Sequence, residues 1–297
     1  MNNANPLQRS NSVMWLCAVI IVLAPIAAGT GLFWEDGGSS FAFSTLRGDT
    51  VQIYGHGLYR YDTILIAIGF KTGDAVTLLL AIPTLIFSLL LYRRGSLRGG
   101  LLLTGALTYL LYIYGSMAFG AAYNNLFLVY LALLSASLFG LIFALASFNL
   151  KILPQNFSHR LPHRGMGIYL ILSGAILIFI WLALSILPAL FTGKVPVEVW
   201  SYTTIVTFIV DMAIIAPALI IAGYMLIQRA PLGYLLVSTI LVFISILGIN
   251  LLVGGTVQMF MGLMGTGQFI GSVVSFAILT LFAIGFTVIL FRNVSDT

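Results

Sequence analysis

The stretch Asp74-Ala-Val-Thr-Leu-Leu-Leu-Ala-Ile-Pro83-Thr-Leu-Ile-Phe-Ser-Leu-Leu-Leu-Tyr-Arg93 decides the fold, because no charge interrupts it between its first residue and its last. A bilayer core roughly 30 Å thick is crossed by about 20 apolar residues in an α-helix. At about 1.5 Å per residue, the carboxylate stands roughly 28 Å from the arginine, nearly the full hydrocarbon thickness. The stretch therefore reads as a membrane span with an acid at one interface and bases at the other. Asp211 to Arg229 repeats the pattern, with Pro217 in place of Pro83.

Other uncharged runs extend the count outward from these two. No charge lies between Arg9 and Glu35, which predicts a first helix over about 13–33, too long for a signal-peptide core. The gap from Arg98 to Lys151 holds two helices with a turn near Tyr123-Asn124-Asn125, and Arg164 to Lys194 brackets one more. The apolar pattern of the Asp211 helix starts earlier, near Tyr202, and Arg229 to Arg292 leaves room for a final pair. The expected fold class is all-α, a polytopic membrane helix bundle of about eight transmembrane helices.

Composition agrees and narrows the function classes. Of 297 residues, 60% are hydrophobic and 7% charged, against about 25% charged in a soluble domain. The mean hydropathy is +1.10. A disordered protein, a secreted disulfide scaffold and a soluble nucleic-acid binder are excluded. Cys17 stands alone, so there is no disulfide, CxxC pair or cysteine-based metal site.

The net charge of +5 is an orientation signal. With the N-terminus inside, the inner loops hold Arg9, Arg93, Arg94, Arg98, Lys151, Arg160, Arg164, Arg229 and Arg292, while Arg47, Arg60, Lys71 and Lys194 fall outside. The acids divide the other way, only Asp296 lying inside. The positive-inside rule then places both termini in the cytoplasm.

The chain also reads as two parallel four-helix repeats, residues 1–150 (with an outer loop over 34–73) and 151–297. Pro83-Thr-Leu-Ile86 matches Pro217-Ala-Leu-Ile220, and Tyr61-Asp-Thr-Ile64 faces Tyr202-Thr-Thr-Ile205. Asp74 and Asp211 precede the two prolines. Because four is even, both copies enter the membrane in the same sense.

The outer loop is the most polar part of the chain. Its residues His56, Arg60 and Asp62, with Asp74 and Asp211, form a candidate outward-facing acid–base or cation-binding cluster. The competing structural reading pairs Arg60 with Asp62 or Asp74 to pin the loop onto the bundle. Within the spans, Tyr109 and Tyr112 share a helix face and, with Asn250, are candidate linings of a pocket for an apolar or lipid-like ligand. Gly267-Gln-Phe-Ile-Gly271 is a GxxxG spacing, a helix-contact signal. No P-loop, HExxH or nucleophile elbow is present, which turns the reading away from enzymes. No resident cofactor or metal is expected, no catalytic residue is assigned, and the expected partners are the lipid bilayer and a small-molecule or lipid ligand.

Gly57-Leu-Tyr-Arg-Tyr-Asp62, Arg93-Arg-Gly-Ser-Leu-Arg-Gly99, Ala122-Tyr-Asn-Asn-Leu-Phe127, Tyr202-Thr-Thr204 with Asp211, and Gly233-Tyr-Leu-Leu236 resemble a family of bacterial multi-pass membrane proteins with no assigned activity. The resemblance implies a bacterial inner-membrane location and nothing about mechanism. Three readings follow: a solute transporter or small-molecule binder working from the outer face; an outward-facing enzyme on lipid or envelope substrates using His56 and the outer carboxylates; or a non-catalytic scaffold.

Overall fold

The computed structural model describes residues 5–296, the side chains of Val197 and Gln268 excepted. Among them are eight helices long and apolar enough to cross a membrane. They are α1 (Asn11–Phe33), α2 (Ile64–Arg93), α3 (Leu97–Gly120), α4 (Phe127–Ala146), α5 (His163–Thr192), α6 (Val206–Ile227), α7 (Pro231–Phe260) and α8 (Ile270–Arg292). The protein is an all-α polytopic bundle, as its uncharged runs predict. Two bounds differ from expectation. Helix α2 starts ten residues before Asp74, absorbing Lys71, and α6 starts at Val206, after Tyr202.

Helices α3 and α7 form the axis of the bundle and are its most buried spans. In lipid there is no hydrophobic force between helices, so close packing of small residues decides contacts. A Cβ on Gly105 of α3 would meet Val242 Cβ of α7 at 2.3 Å, so only glycine permits this approach. One turn away, Thr104 and Thr239 hydroxyls meet at 2.8 Å across the same contact. Helices α2 and α4 pack against α3, α6 and α8 against α7, α1 against α2 and α4, and α5 against α6. On α5 and α6, Gly167 and Gly223 each face the other's carbonyl oxygen. The GxxxG glycines Gly267 and Gly271 instead have open space where a Cβ would stand, so the spacing alone does not make that contact. The perimeter carries exposed Trp15, Phe87, Leu184 and Phe282, a surface suited to lipid.

Prolines shape three of the spans. π-helical turns cover Thr77–Ala81, Leu182–Ile186 and Asp211–Ile215, each ending two residues before Pro83, Pro188 or Pro217. In each, the residue preceding the proline donates its N–H five residues back, to Thr77, Leu182 or Asp211. Proline has no N–H and its ring collides with the carbonyl four residues earlier, so the helix widens by one residue. A fourth π turn, Ile270–Val274, opens α8 without a proline.

Eight spans return the chain to its starting face. On this terminal face, Leu7 bridges Phe148, Val294 bridges Phe157, and Arg98 donates to Val294 O at 3.0 Å through Nε. The opposite face carries a two-stranded hairpin, β1 (Phe41–Ser44) and β2 (Thr50–Ile53), with Phe41 opposite Ile53 and Ser44 opposite Thr50. The hairpin continues into the α2 entry: Tyr54 N–H donates to Asp62 O and Gly55 N–H to Arg60 O. This folded cap explains why so polar a segment stays close to the bundle on the hairpin face.

Candidate functional site

Three aspartates are buried beneath the hairpin face, and each is held by a tyrosine. Asp74 lies in the eleventh position of α2 and is 1% exposed. Its Oδ2 accepts from Tyr59 OH at 2.6 Å, and a Cβ on Gly31, third from the end of α1, would collide with that oxygen. The carboxylate faces inward, under Tyr59, rather than outward. Asp62 is 0% exposed and closes the α2 entry. Its Oδ1 accepts from Tyr202 OH at 2.7 Å and from Ala122 N–H at 2.8 Å, while its Oδ2 is buried with no partner.

Asp211 is the first residue of its π turn. Its Oδ1 accepts from Tyr112 OH of α3 at 3.1 Å, and its Oδ2 from Trp181 Nε1 of α5 at 3.0 Å. The near-touching backbones of α5 and α6 bring Trp181 within reach, and Phe243 of α7 packs on the Tyr112 ring at 5.6 Å. Asp211 therefore sits where the first four helices meet the second four. So does the Asp62–Tyr202 contact, which Arg47 reinforces by donating to Trp200 O at 3.4 Å and Tyr202 O at 3.1 Å.

None of these aspartates pairs with a base. Among the described residues the ion pairs are Arg60–Asp36 at 2.9 Å, Lys71–Glu35 at 3.6 Å and Arg98–Asp296 at 3.8 Å. The expected pairing of Arg60 with Asp62 or Asp74 is corrected accordingly: Arg60 reaches back to Asp36, three residues past the end of α1. The same Asp36 accepts from Gly57 N–H at 2.9 Å. That amide, then those of Gly38 and the Arg60 charge, hold the Asp36 carboxyl below the usual range. His56 does not join the aspartates either. Its ring lies on Tyr54 at 3.9 Å with Nδ1 3.0 Å from Tyr54 O. Among the described residues no three His, Cys, Asp or Glu side chains gather as a metal ion would require. The expected single cluster is thus divided, with Asp62, Asp74 and Asp211 buried separately and His56 and Arg60 above them.

Burial sets the chemistry of the loop groups. It pushes the Asp62 carboxyl up to about 6, against the opposing hydrogen bonds from Ala122 and Tyr202. It raises the Tyr59 phenol well above its usual value, and the Asp74 charge adds to that. Tyr202 is raised by burial and then by Asp62.

Around Asp74 the expected pocket residues Tyr109 and Asn250 appear, with Thr77 and Tyr130, as buried polar atoms rather than the walls of an open cavity. Tyr109 OH, Thr77 Oγ1, Tyr130 OH and Asn250 Oδ1 are buried with no partner. Thr77 lies one turn below Asp74 on α2, and Asn250 Nδ2 of α7 is 3.9 Å from where a Gly73 Cβ would be. Tyr109 and Tyr112 are one turn apart on α3, so hydroxyl groups line the interior from Asp74 toward Asp211. Sequence reasoning missed Tyr59, Tyr202 and Trp181. Only Trp181 carried a signal: an indole N–H in the middle of an apolar span needs an acceptor.

No protein-family model, curated protein or solved structure matches this chain. Function therefore rests on the fold and on the geometry of these side chains.

Proposed function

We propose that this integral membrane protein binds a small, donor-bearing solute at the seam between two four-helix halves and carries it across the membrane. The observation that carries the reading is Asp211, a buried carboxylate held from one half by Tyr112 and from its own half by Trp181. Ionisable groups inside spans mark ion or substrate paths, and repeat transporters place their sites at the interface of the repeats. A solute N–H or O–H would displace one of the two neutral donors. On the hairpin face, Asp62–Tyr202 and Arg47–Tyr202 close the seam, and parting them would admit the solute.

The parallel duplication belongs to this proposal. Its supports are the π turns, which begin six residues before both Pro83 and Pro217, and the pairing of α3 with α7, the third helix of each half. Aligned on the prolines, Asp211 corresponds to Thr77, one turn from Asp74. The excess of Lys and Arg on the terminal face supports an outer hairpin face, and the resembling strings support a bacterial plasma membrane. An enzyme acting through His56 draws no support from a ring turned onto Tyr54.

Uptake by proteoliposomes of a panel of labelled amines, amides and sugars tests the reading. Asp211→Asn is expected to cut uptake of the transported solute by about tenfold or more, with the unfolding temperature retained. If no solute is taken up and none raises the unfolding temperature of the wild type, the reading fails.

A further inference from the structure

The terminal face holds two adjoining clefts that the site above does not use. The larger, about 770 Å³, is lined by Arg98, His159, Arg160 and Arg292 with polar backbone around them. The smaller, about 450 Å³, shares His159 and adds His163, Arg164 and Arg229. Among the described residues, no carboxylate lines either cleft. The walls are held in place by backbone bonds: Ser158 N–H donates to Asn293 O at 2.8 Å and Ser295 N–H to Asn156 O at 2.9 Å. Arg98 is engaged with Val294 O and Asp296. The guanidinium groups of Arg160, Arg164, Arg229 and Arg292 have no hydrogen-bond or ion-pair partner among the described residues. Helix α5 also starts in the smaller cleft, with no acidic residue in its first turn and no side-chain cap, so its positive end faces the same space.

The positive-inside rule accounts for arginines on this face but not for one backbone detail. The α2–α3 and α6–α7 turns are built alike. In the first, Gly95 has φ +84°, Gly95 N–H donates to Tyr92 O and Ser96 N–H to Leu91 O. In the second, Arg229 N–H donates to Leu226 O and Ala230 N–H to Met225 O. These are Schellman closures, whose left-handed position favours glycine. Yet Arg229 occupies it at φ +56°. A residue held in that conformation against steric preference commonly serves a site, and its side chain lines the smaller cleft.

We infer that these clefts form a binding site for phosphate groups, presented by the headgroup of an anionic lipid or by a soluble phosphate ester. Unpaired guanidinium forks and a helix N-terminus are matched to phosphate oxygens. The position at the ends of α5, α6 and α8 puts the site at headgroup level.

The test measures binding of the purified full chain to nanodiscs containing phosphatidylglycerol, to nanodiscs of phosphatidylcholine alone, and to free glycerol phosphate and pyrophosphate. Preference for the phosphatidylglycerol discs assigns a lipid source, and binding of the free esters a soluble one. Either supports the site. Arg164→Gln and Arg229→Gly are each expected to weaken binding about fivefold, whereas Arg94→Gln, outside the clefts, leaves it unchanged. Arg229→Gly is also expected to raise the unfolding temperature by about 2 °C, because glycine relieves the turn, which separates loss of binding from loss of folding. Equal loss with Arg94→Gln, or no binding in any arm, overturns the inference.

Discussion

An acid buried without a base must be satisfied by neutral donors, and tyrosine hydroxyls fill that role at Asp62, Asp74 and Asp211. Asp62 gives the most direct test, since one of its oxygens has no partner and burial lifts its carboxyl to about 6 from 3.8. Between those values the native chain binds a proton that the unfolded chain has released, so stability falls as pH rises through that window. Asp62→Asn keeps an acceptor for Tyr202 and Ala122 and removes the titration. Its thermal unfolding, followed by tryptophan fluorescence from pH 4 to 7.5, is expected to lose most of the wild-type decline. At pH 7.5 it is expected to exceed the wild type by up to about 3 kcal/mol. A variant that keeps the wild-type slope would show that Asp62 is not the titrating group. The acids were legible in the sequence as outliers in an apolar chain. Their partners were not, because Tyr202 is 140 residues from Asp62 and Tyr112 is 99 from Asp211.

At the scale of elements, the spans were legible because hydropathy is a local property and a bilayer demands it of every helix. The start of α2 was hidden because Lys71 and Asp74 look like loop residues until their partners are known. Lys71 Nζ is paired with Glu35 and donates to Tyr54 OH at 3.3 Å, and Asp74 is capped by Tyr59. Glycine spacing was a poor guide to contact for a related reason: what matters is the surface opposite. Gly105→Ala, which would drive a methyl group into Val242, is expected to cost about 1–3 kcal/mol by overpacking. Gly271→Ala meets nothing within 4 Å and is expected to be neutral or stabilising by up to about 1 kcal/mol. Urea or thermal unfolding of the two variants side by side reads the contrast, and equal effects would refute the assignment of α3–α7 as the tight contact.

For the whole molecule, an even number of spans places both termini and the basic clefts on one face and the hairpin on the other. Cys17 is 0% exposed, so the wild type offers no accessible thiol and introduced cysteines report cleanly. Cysteine at Leu46, fully exposed at the hairpin tip, is expected to react with an impermeant maleimide in intact cells, and cysteine at Arg94 only after permeabilisation. The reverse pattern would invert the orientation drawn from charge. Which loops share a face was legible from counting the spans, whereas the joining of the first four helices to the second four through Tyr112, Trp181 and Tyr202 required coordinates.

The widened turn at Asp211–Ile215 has a consequence for motion. A π turn holds one residue more than the helix around it needs, and one residue corresponds to about 100° of rotation about the helix axis. If the extra residue migrates along α6, the segment it passes turns as a screw while the rest of the helix keeps its place. Asp211 stands at the edge of that segment. Its carboxylate could then leave Tyr112 and Trp181 by a twist of one helix, with no rigid tilting of either half.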